Sequence, residues 1–243
     1  MFALYKKEIR SFLSSLIGYI VIAVFLLVIG LFMWIFPGDN NVLDMGYADL
    51  NTLFFIAPWV FMFLIPAITM RMFAEEKRTG TLEIIFTKPI ADLHIVLAKY
   101  FAGVTLVVLT LLPTLVYFYT VYVLGSPPGN IDTGGTLGSY IGLLLLAACY
   151  VAIGLFASSI SSNQIVSFLI AAMFSFFMYA GFASLGEYNL LGPADHIIKQ
   201  LGIAEHYDSI SRGVLDSRDV VYFIALITIF VVLTKTVLNS RKW

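Results

Sequence analysis

Apolar residues in this chain come in long blocks, and the polar residues between them are few. A bilayer core of about 30 Å needs about 20 apolar residues of helix. Six blocks meet that length: 16–36, 53–72, 96–124, 137–157, 165–185 and 220–237. The second contains Pro58 and Pro66, which neighbouring helices must accommodate. The third exceeds one bilayer and carries Pro113, so it is expected to kink and to tilt or protrude. Between the fourth and fifth, only the polar run 158–164 interrupts the apolar sequence, and it predicts a tight turn.

Ahead of the first block the period changes. Phe2, Tyr5, Ile9, Phe12 and Leu13 recur at helical spacing, with Lys6, Lys7 and Arg10 on the other side. This predicts an amphipathic helix in the membrane interface. It reads either as a simple juxtamembrane anchor or as an elbow packed near a cytoplasmic loop. Basic residues before an apolar stretch also resemble a secretory leader, but 12–36 is too long for one and has no small-x-small cleavage site. It is read as a retained first span.

Composition agrees with the pattern. The 243 residues are 60% hydrophobic and 12% charged, with a mean hydropathy of +0.94. Soluble domains carry about 25% charged residues. The expected fold is therefore an all-α polytopic membrane protein, one permease-sized domain over 1–243. The net charge of −1 gives no signal for nucleic acid. The single cysteine, Cys149, lies in an apolar run and reads as packing.

Orientation follows from Lys and Arg. With six spans both termini share one side, which holds Lys6, Lys7, Arg10, Arg71, Lys77, Arg78, Lys88, Lys99, Lys235, Arg241 and Lys242. The other side holds Lys199, Arg212 and Arg218, so the tally is eleven against three. Both termini and the 73–90 loop are expected in the cytoplasm. The acid-rich loop 187–219 is expected outside, as two short helices broken at Gly202 and Gly213. It reads as either a re-entrant pair or a solvated loop.

The 73–90 loop concentrates the scarce charge. Helix is expected to continue through Arg71, Glu75 and Arg78, which share a face and could pair. Gly80 is a natural terminator. Thr81 can cap a second short helix with Glu83 in its first turn, and Pro89 limits it. From the residues alone this is either a bent docking element or an ordinary charged loop.

Chemistry-bearing patterns are otherwise missing from the sequence. It contains no P-loop and no Rossmann glycine signature, so no cofactor is expected and any ATP would be bound by another chain. The span centres carry no acid or histidine of the kind that marks ion pathways; Arg71, Glu75 and Lys99 sit at span ends. His94, His196 and His206 match no metal-ligand spacing. No HExxH or buried serine–base pairing points to an intramembrane enzyme. Gly138-x-x-x-Gly142 and Gly154-x-x-x-Ser158 allow close helix approach, within the chain or across a dimer seam.

The run Phe-Ala-Glu-Glu-Lys-Arg-Thr-Gly-Thr-Leu-Glu-Ile-Ile-Phe-Thr-Lys-Pro-Ile, 73–90, resembles the "EE(K/R)-x-G-T-x-E" element of ABC-2-type transporter membrane subunits. With the amphipathic start and six spans, the resemblance covers nearly the whole chain. The stretch 206–223 looks like the segment before the last span in a branch that includes the gliding-motility permeases of Bacteroidetes and the copper-site-maturation permeases of nitrous oxide reductase. The opening Met-Phe-Ala-Leu-Tyr-Lys-Lys-Glu-Ile-Arg-Ser-Phe-Leu looks closest to the gliding-motility-associated members.

The resemblance implies a non-catalytic permease half in the bacterial inner membrane. It implies a second membrane subunit, identical or different, and a separate ATP-binding cassette ATPase as partners. It places Glu75, Glu76, Arg78, Gly80, Thr81, Glu83 and Pro89 at the coupling element, beside an elbow helix bearing Lys6, Lys7 and Arg10. The work done would be export or mechanical. Other readings of the same residues are a membrane scaffold without transport and an ion-coupled carrier.

Overall fold

The computed structural model describes residues 1–87, 90–187, 195–214 and 216–240, and all regular structure among them is helical. The expected coupling residue Pro89 lies outside the described residues, as do Lys88, Arg241 and Lys242. In chain order the helices are α1 (Phe2–Leu13), α2 (Leu16–Trp34), α3 (Val42–Met45), α4 (Asn51–Thr69), α5 (Arg71–Arg78) and α6 (Thr81–Phe86). They continue as α7 (Asp92–Leu111), a 3₁₀ turn (Leu112–Thr114), α8 (Leu115–Leu124), α9 (Thr133–Ile160) and α10 (Gln164–Phe176). A π-helical turn (Phe177–Gly181) leads to α11 (Phe182–Glu187), α12 (Asp195–Gln200), α13 (Ile203–Ser211) and α14 (Ser217–Asn239).

Six candidate membrane spans result: Leu16–Trp34, Asn51–Arg78, Asp92–Leu124, Thr133–Ile160, Gln164–Gly186 and Ser217–Asn239. They match the six apolar blocks; the first stops two residues short of its block, and the other five run past theirs into polar residues. Pro113 sits in the 3₁₀ turn, where its missing N–H interrupts the α-helical hydrogen-bond ladder between α7 and α8. Pro58 and Pro66 lie inside α4, buried against its neighbours.

The bundle is organised around α9. This helix packs against α4, α7, α10, α13 and α14. It can touch so many partners because its contact positions are small. A methyl group at Gly154 would lie 2.0 Å from Thr69 Oγ1 of α4, and one at Gly142 would lie 2.5 Å from Ile210 of α13. One at Gly138 would lie 2.9 Å from the carbonyl of Gly213. The small-x-x-x-small pairs therefore serve close approach inside this chain, and these positions are spent there. Without a hydrophobic drive between helices in lipid, such approach is what gives packing its strength. Cys149 on α9 is buried and directs its thiol toward the carbonyl of Phe223, as a packing residue would.

The two short helices before the last span form as expected, separated at Gly202 and ended near Gly213, which adopts φ 83°. Their apolar stripe is only half used. Ile203, Tyr207 and Ile210 are buried, whereas Ile197, Leu201 and Val214 are exposed. Replacing Gly154 by Ala should lower bundle stability by about 1–3 kcal/mol through overpacking against Thr69. Gly134→Ala, in ordinary contact only, should be neutral or slightly stabilising through helix propensity. Thermal unfolding of the two variants in detergent checks the difference.

Candidate functional site

Span 2 does not end where its apolar block ends. The α-helical hydrogen-bond pattern is interrupted at Met70, and α5 carries on with polar and charged residues. The break is stapled by Ser158 of α9. Its hydroxyl donates to the carbonyl of Met70 at 2.9 Å and accepts from the amides of Phe73 and Ala74 at 3.0 and 3.1 Å. One side chain thus satisfies the backbone groups that the break exposes. Lys77 extends to the carbonyl of Ser159, the next residue of α9.

After α5 the chain turns at Gly80, with φ 71°. A left-handed residue at that turn favours glycine, because a Cβ there crowds the following carbonyl. The stop expected at Gly80 is therefore present. The cap expected at Thr81 is not. Gly80 occupies the cap position, Thr81 is already the first helical residue, and its hydroxyl lies 3.0 Å from that of Thr79. In α6, Leu82 is buried as the anchor, while Glu83 and Ile84 face outward. Arg78, Gly80 and Thr81 are exposed as well, and Glu75 is half-buried.

Glu76 points the other way. It is buried and faces a cluster that joins three segments of the chain. Lys99, on α7, is wholly buried. Its ammonium lies 2.9 Å from Glu8 Oε1, 2.9 Å from Glu76 Oε2 and 2.7 Å from the carbonyl of Met72. The approach to Glu76 Oε2 is a close ion pair off the hydrogen-bonding direction, so that oxygen has charge compensation without a directed donor. Lys7 completes the group, 2.8 Å from Glu76 Oε1 and 3.1 Å from Glu8 Oε1. Two ammonium groups thus face two carboxylates. Burying Lys99, Glu8 or Glu76 alone would cost several kcal/mol, so those three depend on one another, and Lys7, whose side chain is 55% exposed, closes the group from the solvent side.

The electrostatics follow from that mutual dependence. Burial opposes ionisation of Glu8, but Lys99 and Lys7 outweigh it and hold its carboxyl below the ordinary 4.5. Burial likewise disfavours the Lys7 ammonium, but Glu76 and Glu8 outweigh it and raise its pKa above 10.5.

Two further contacts clamp the bend between α1 and α2. Arg71, at the start of α5, donates to Ser15 Oγ at 2.8 Å, and its guanidinium lies 4.9 Å over the Phe12 ring. The expected pairing of Arg71 with Glu75 is replaced by these contacts. Tyr5 and Thr105 lie 2.9 Å apart through their hydroxyls, tying α1 to α7 again. A cavity of about 290 Å³ separates α1 from α5, lined by Lys7, Glu8, Arg71, Glu75, Glu76 and Thr81 among others.

Of the predicted site residues, Glu75, Arg78, Gly80, Thr81 and Glu83 lie along the α5–α6 corner. Glu76 is instead an internal tie, and Lys7 reaches it from α1. Lys6 and Arg10 stay on the exposed side of α1. Lys99, expected at a span end, lies near the start of the third span and is wholly buried, with two carboxylates and a carbonyl in place of solvent. The sequence reading passed over Glu8. Its position offers a signal: it falls three after Tyr5 and four before Phe12, on the apolar face of an amphipathic helix, where a carboxylate needs a buried cation. The cluster lies at a span end and leaves the span centres without an acid or histidine among the described residues. These charges neutralise one another at one end of the bundle, unlike an open ion path.

Residues 35–199 match the family described as ABC-2 family transporter protein. No curated protein matches the chain.

Lys99→Met removes a cation and leaves Glu8 and Glu76 buried together. It should cost about 3–5 kcal/mol, and adding Glu8→Gln should recover part of that loss. Denaturant unfolding of the single and double variants measures the coupling. The pH dependence has a defined sign. Glu8 has a depressed folded pKa, so its contribution holds above 4.5 and fades as pH falls through the folded value. Lys7 has a raised one, so its contribution holds below 10.5 and fades as pH rises through the folded value. Melting temperature against pH should therefore fall at both extremes, with the acid limb flattened in Glu8→Gln.

Proposed function

The chain belongs to the ABC-2 transporter family, and from that premise we propose that it is a permease half driven by a separate ATP-binding cassette subunit docked at the α5–α6 corner. The observation that carries this reading is the two-sided character of the corner. Its outer side presents Arg78, Gly80, Thr81, Glu83 and Ile84 to a partner. Its inner side commits Glu76 to Lys99 and Lys7. A push on the outer side is therefore delivered to α1 and α7 through ion pairs, and to α9 through Ser158.

In this reading the chain is non-catalytic, and ATP is held by the partner. A second membrane subunit, identical or different, completes the transporter. The Lys and Arg tally supports a cytoplasmic location for both termini and for the α5–α6 corner, with the chain in a bacterial inner membrane. The likeness of its opening segment to gliding-motility-associated permeases supports work in gliding or in associated secretion, as export or as mechanical force.

Co-purification with the co-expressed cassette ATPase tests the reading. Glu83→Lys and Gly80→Pro should each abolish association, since one reverses a surface charge and the other cannot adopt φ near +71°. Lys99→Met, in its folded fraction, should keep association but lose stimulated ATP hydrolysis. Unchanged association in both corner variants would overturn the assignment.

A further inference from the structure

At the end of the bundle opposite the α5–α6 corner lies a second cavity, of about 540 Å³. It is bounded by the first turns of α4, the π-helical turn and α13. Trp59 and Tyr179 meet edge to face across it, with ring centres 5.4 Å apart. Tyr207 fixes α13 to α4 by donating to the carbonyl of Phe54 at 2.7 Å. The walls are thus tied together by side-chain contacts. A π-helical turn is rare and concentrates at functional sites.

Two opposite charges line this cavity, Asp208 and Arg212. They are four residues apart on and just past α13, so their side chains emerge about 5–6 Å apart. No ion pair joins them, and neither takes part in a side-chain hydrogen bond among the described residues. Burial raises the pKa of the Asp208 carboxyl above its ordinary 3.8, against the pull of Arg212. An exposed carboxylate and an exposed guanidinium that line one cavity without pairing, beside aromatic rings, fit a ligand carrying both charges.

We infer that this cavity holds the headgroup of a zwitterionic phospholipid, its ammonium against Asp208 and the aromatic rings and its phosphate against Arg212. An ammonium is attracted to aromatic faces as well as to a carboxylate, and a guanidinium matches phosphate oxygens in pairs. The two-carbon bridge of an ethanolamine headgroup covers the separation of residues one helical turn apart.

A lipid, and not a free zwitterion, is favoured by what leads away from the cavity. Phe55, Trp59 and Phe63 recur every four residues on α4 and are 65%, 41% and 57% exposed. They form an apolar ridge running from the cavity toward the bilayer centre, where acyl chains would lie. The position along the helix agrees. Asn51 to Trp59 covers about 12 Å of helix rise at the terminal end of a 28-residue span, spanning the headgroup layer and the outermost chain segment. The assignment goes beyond the permease reading and does not depend on it.

The test is lipid retention by the full-length chain. The purified protein would be equilibrated with mixed vesicles of phosphatidylethanolamine, phosphatidylglycerol and a cationic diacyl lipid in equal amounts, then read by native mass spectrometry. Phosphatidylethanolamine should be enriched about two- to fivefold over each of the others, the range that one partly screened ionic contact supports. Asp208→Asn should shift the preference toward the anionic lipid, and Arg212→Gln toward the cationic one. The wild-type comparison stands even if a variant fails to fold. Equal retention of all three lipids would overturn the inference. So would a preference for either singly charged lipid in the wild type, or a protein dimer that retains no lipid because a second copy covers the ridge.

Discussion

A lysine ammonium with no access to solvent is the constraint on which this end of the bundle depends. Lys99 is wholly buried, and nothing in an apolar bundle can replace its lost hydration except acceptors brought to it. Those acceptors come from two segments of the chain: Glu8 from the N-terminal helix, and both Glu76 and the carbonyl of Met72 from α5, the extension of the second span. The ammonium therefore sets the relative positions of α1, α5 and α7. A buried salt bridge is weak evidence of net stability, since an apolar core of the same shape could be as stable. What it does supply is positional definition, because any displacement of one member exposes uncompensated charge on the others.

That definition gives meaning to the bend above it. The α5–α6 corner is short, so its own helical hydrogen bonds contribute little rigidity. It is held by Ser158 on one side, by the ion cluster on another and by Arg71 on Phe12 and Ser15 at its base. Among the described residues, the face with Glu83 and Ile84 has no such ties. A surface element that is locked from behind and open in front can pass a force inward with little loss. An element resting on flexible loops could not.

Much of this fold was legible in the sequence, because the bilayer imposes length and the glycines impose contact. The six spans followed from block length, the helix interruption from Pro113, and the sharp turn from Gly80, whose left-handed backbone few other residues tolerate. Less was legible where the reason for a residue lay far along the chain. Glu8 and Lys99 are 91 residues apart; the first was passed over and the second was read as a charge at a span end. Local pattern cannot pair charges across that distance. The π-helical turn at Phe177–Gly181 also left no mark in an apolar run, since hydropathy reports burial and not hydrogen-bond register. Thr81 was misplaced by one residue for a plain reason: Gly80 both ends one helix and begins the next, so it takes the cap position itself.

If the proposed coupling to a cassette ATPase holds and the cluster transmits force, α1 and α6 must move as one body when that ATPase closes. Spin labels at Ile84→Cys on α6 and Phe2→Cys on α1, in a Cys149→Ser background, would report their separation by pulsed electron–electron resonance with and without a trapped ATP analogue. A third label at Ile165→Cys on α10 gives a reference point. The account predicts that the α6–α1 distance is unchanged by nucleotide while the α6–α10 distance shifts, and that Lys99→Met makes the α6–α1 distance nucleotide-dependent. An α6–α1 distance that already changes in the unsubstituted cluster would contradict it.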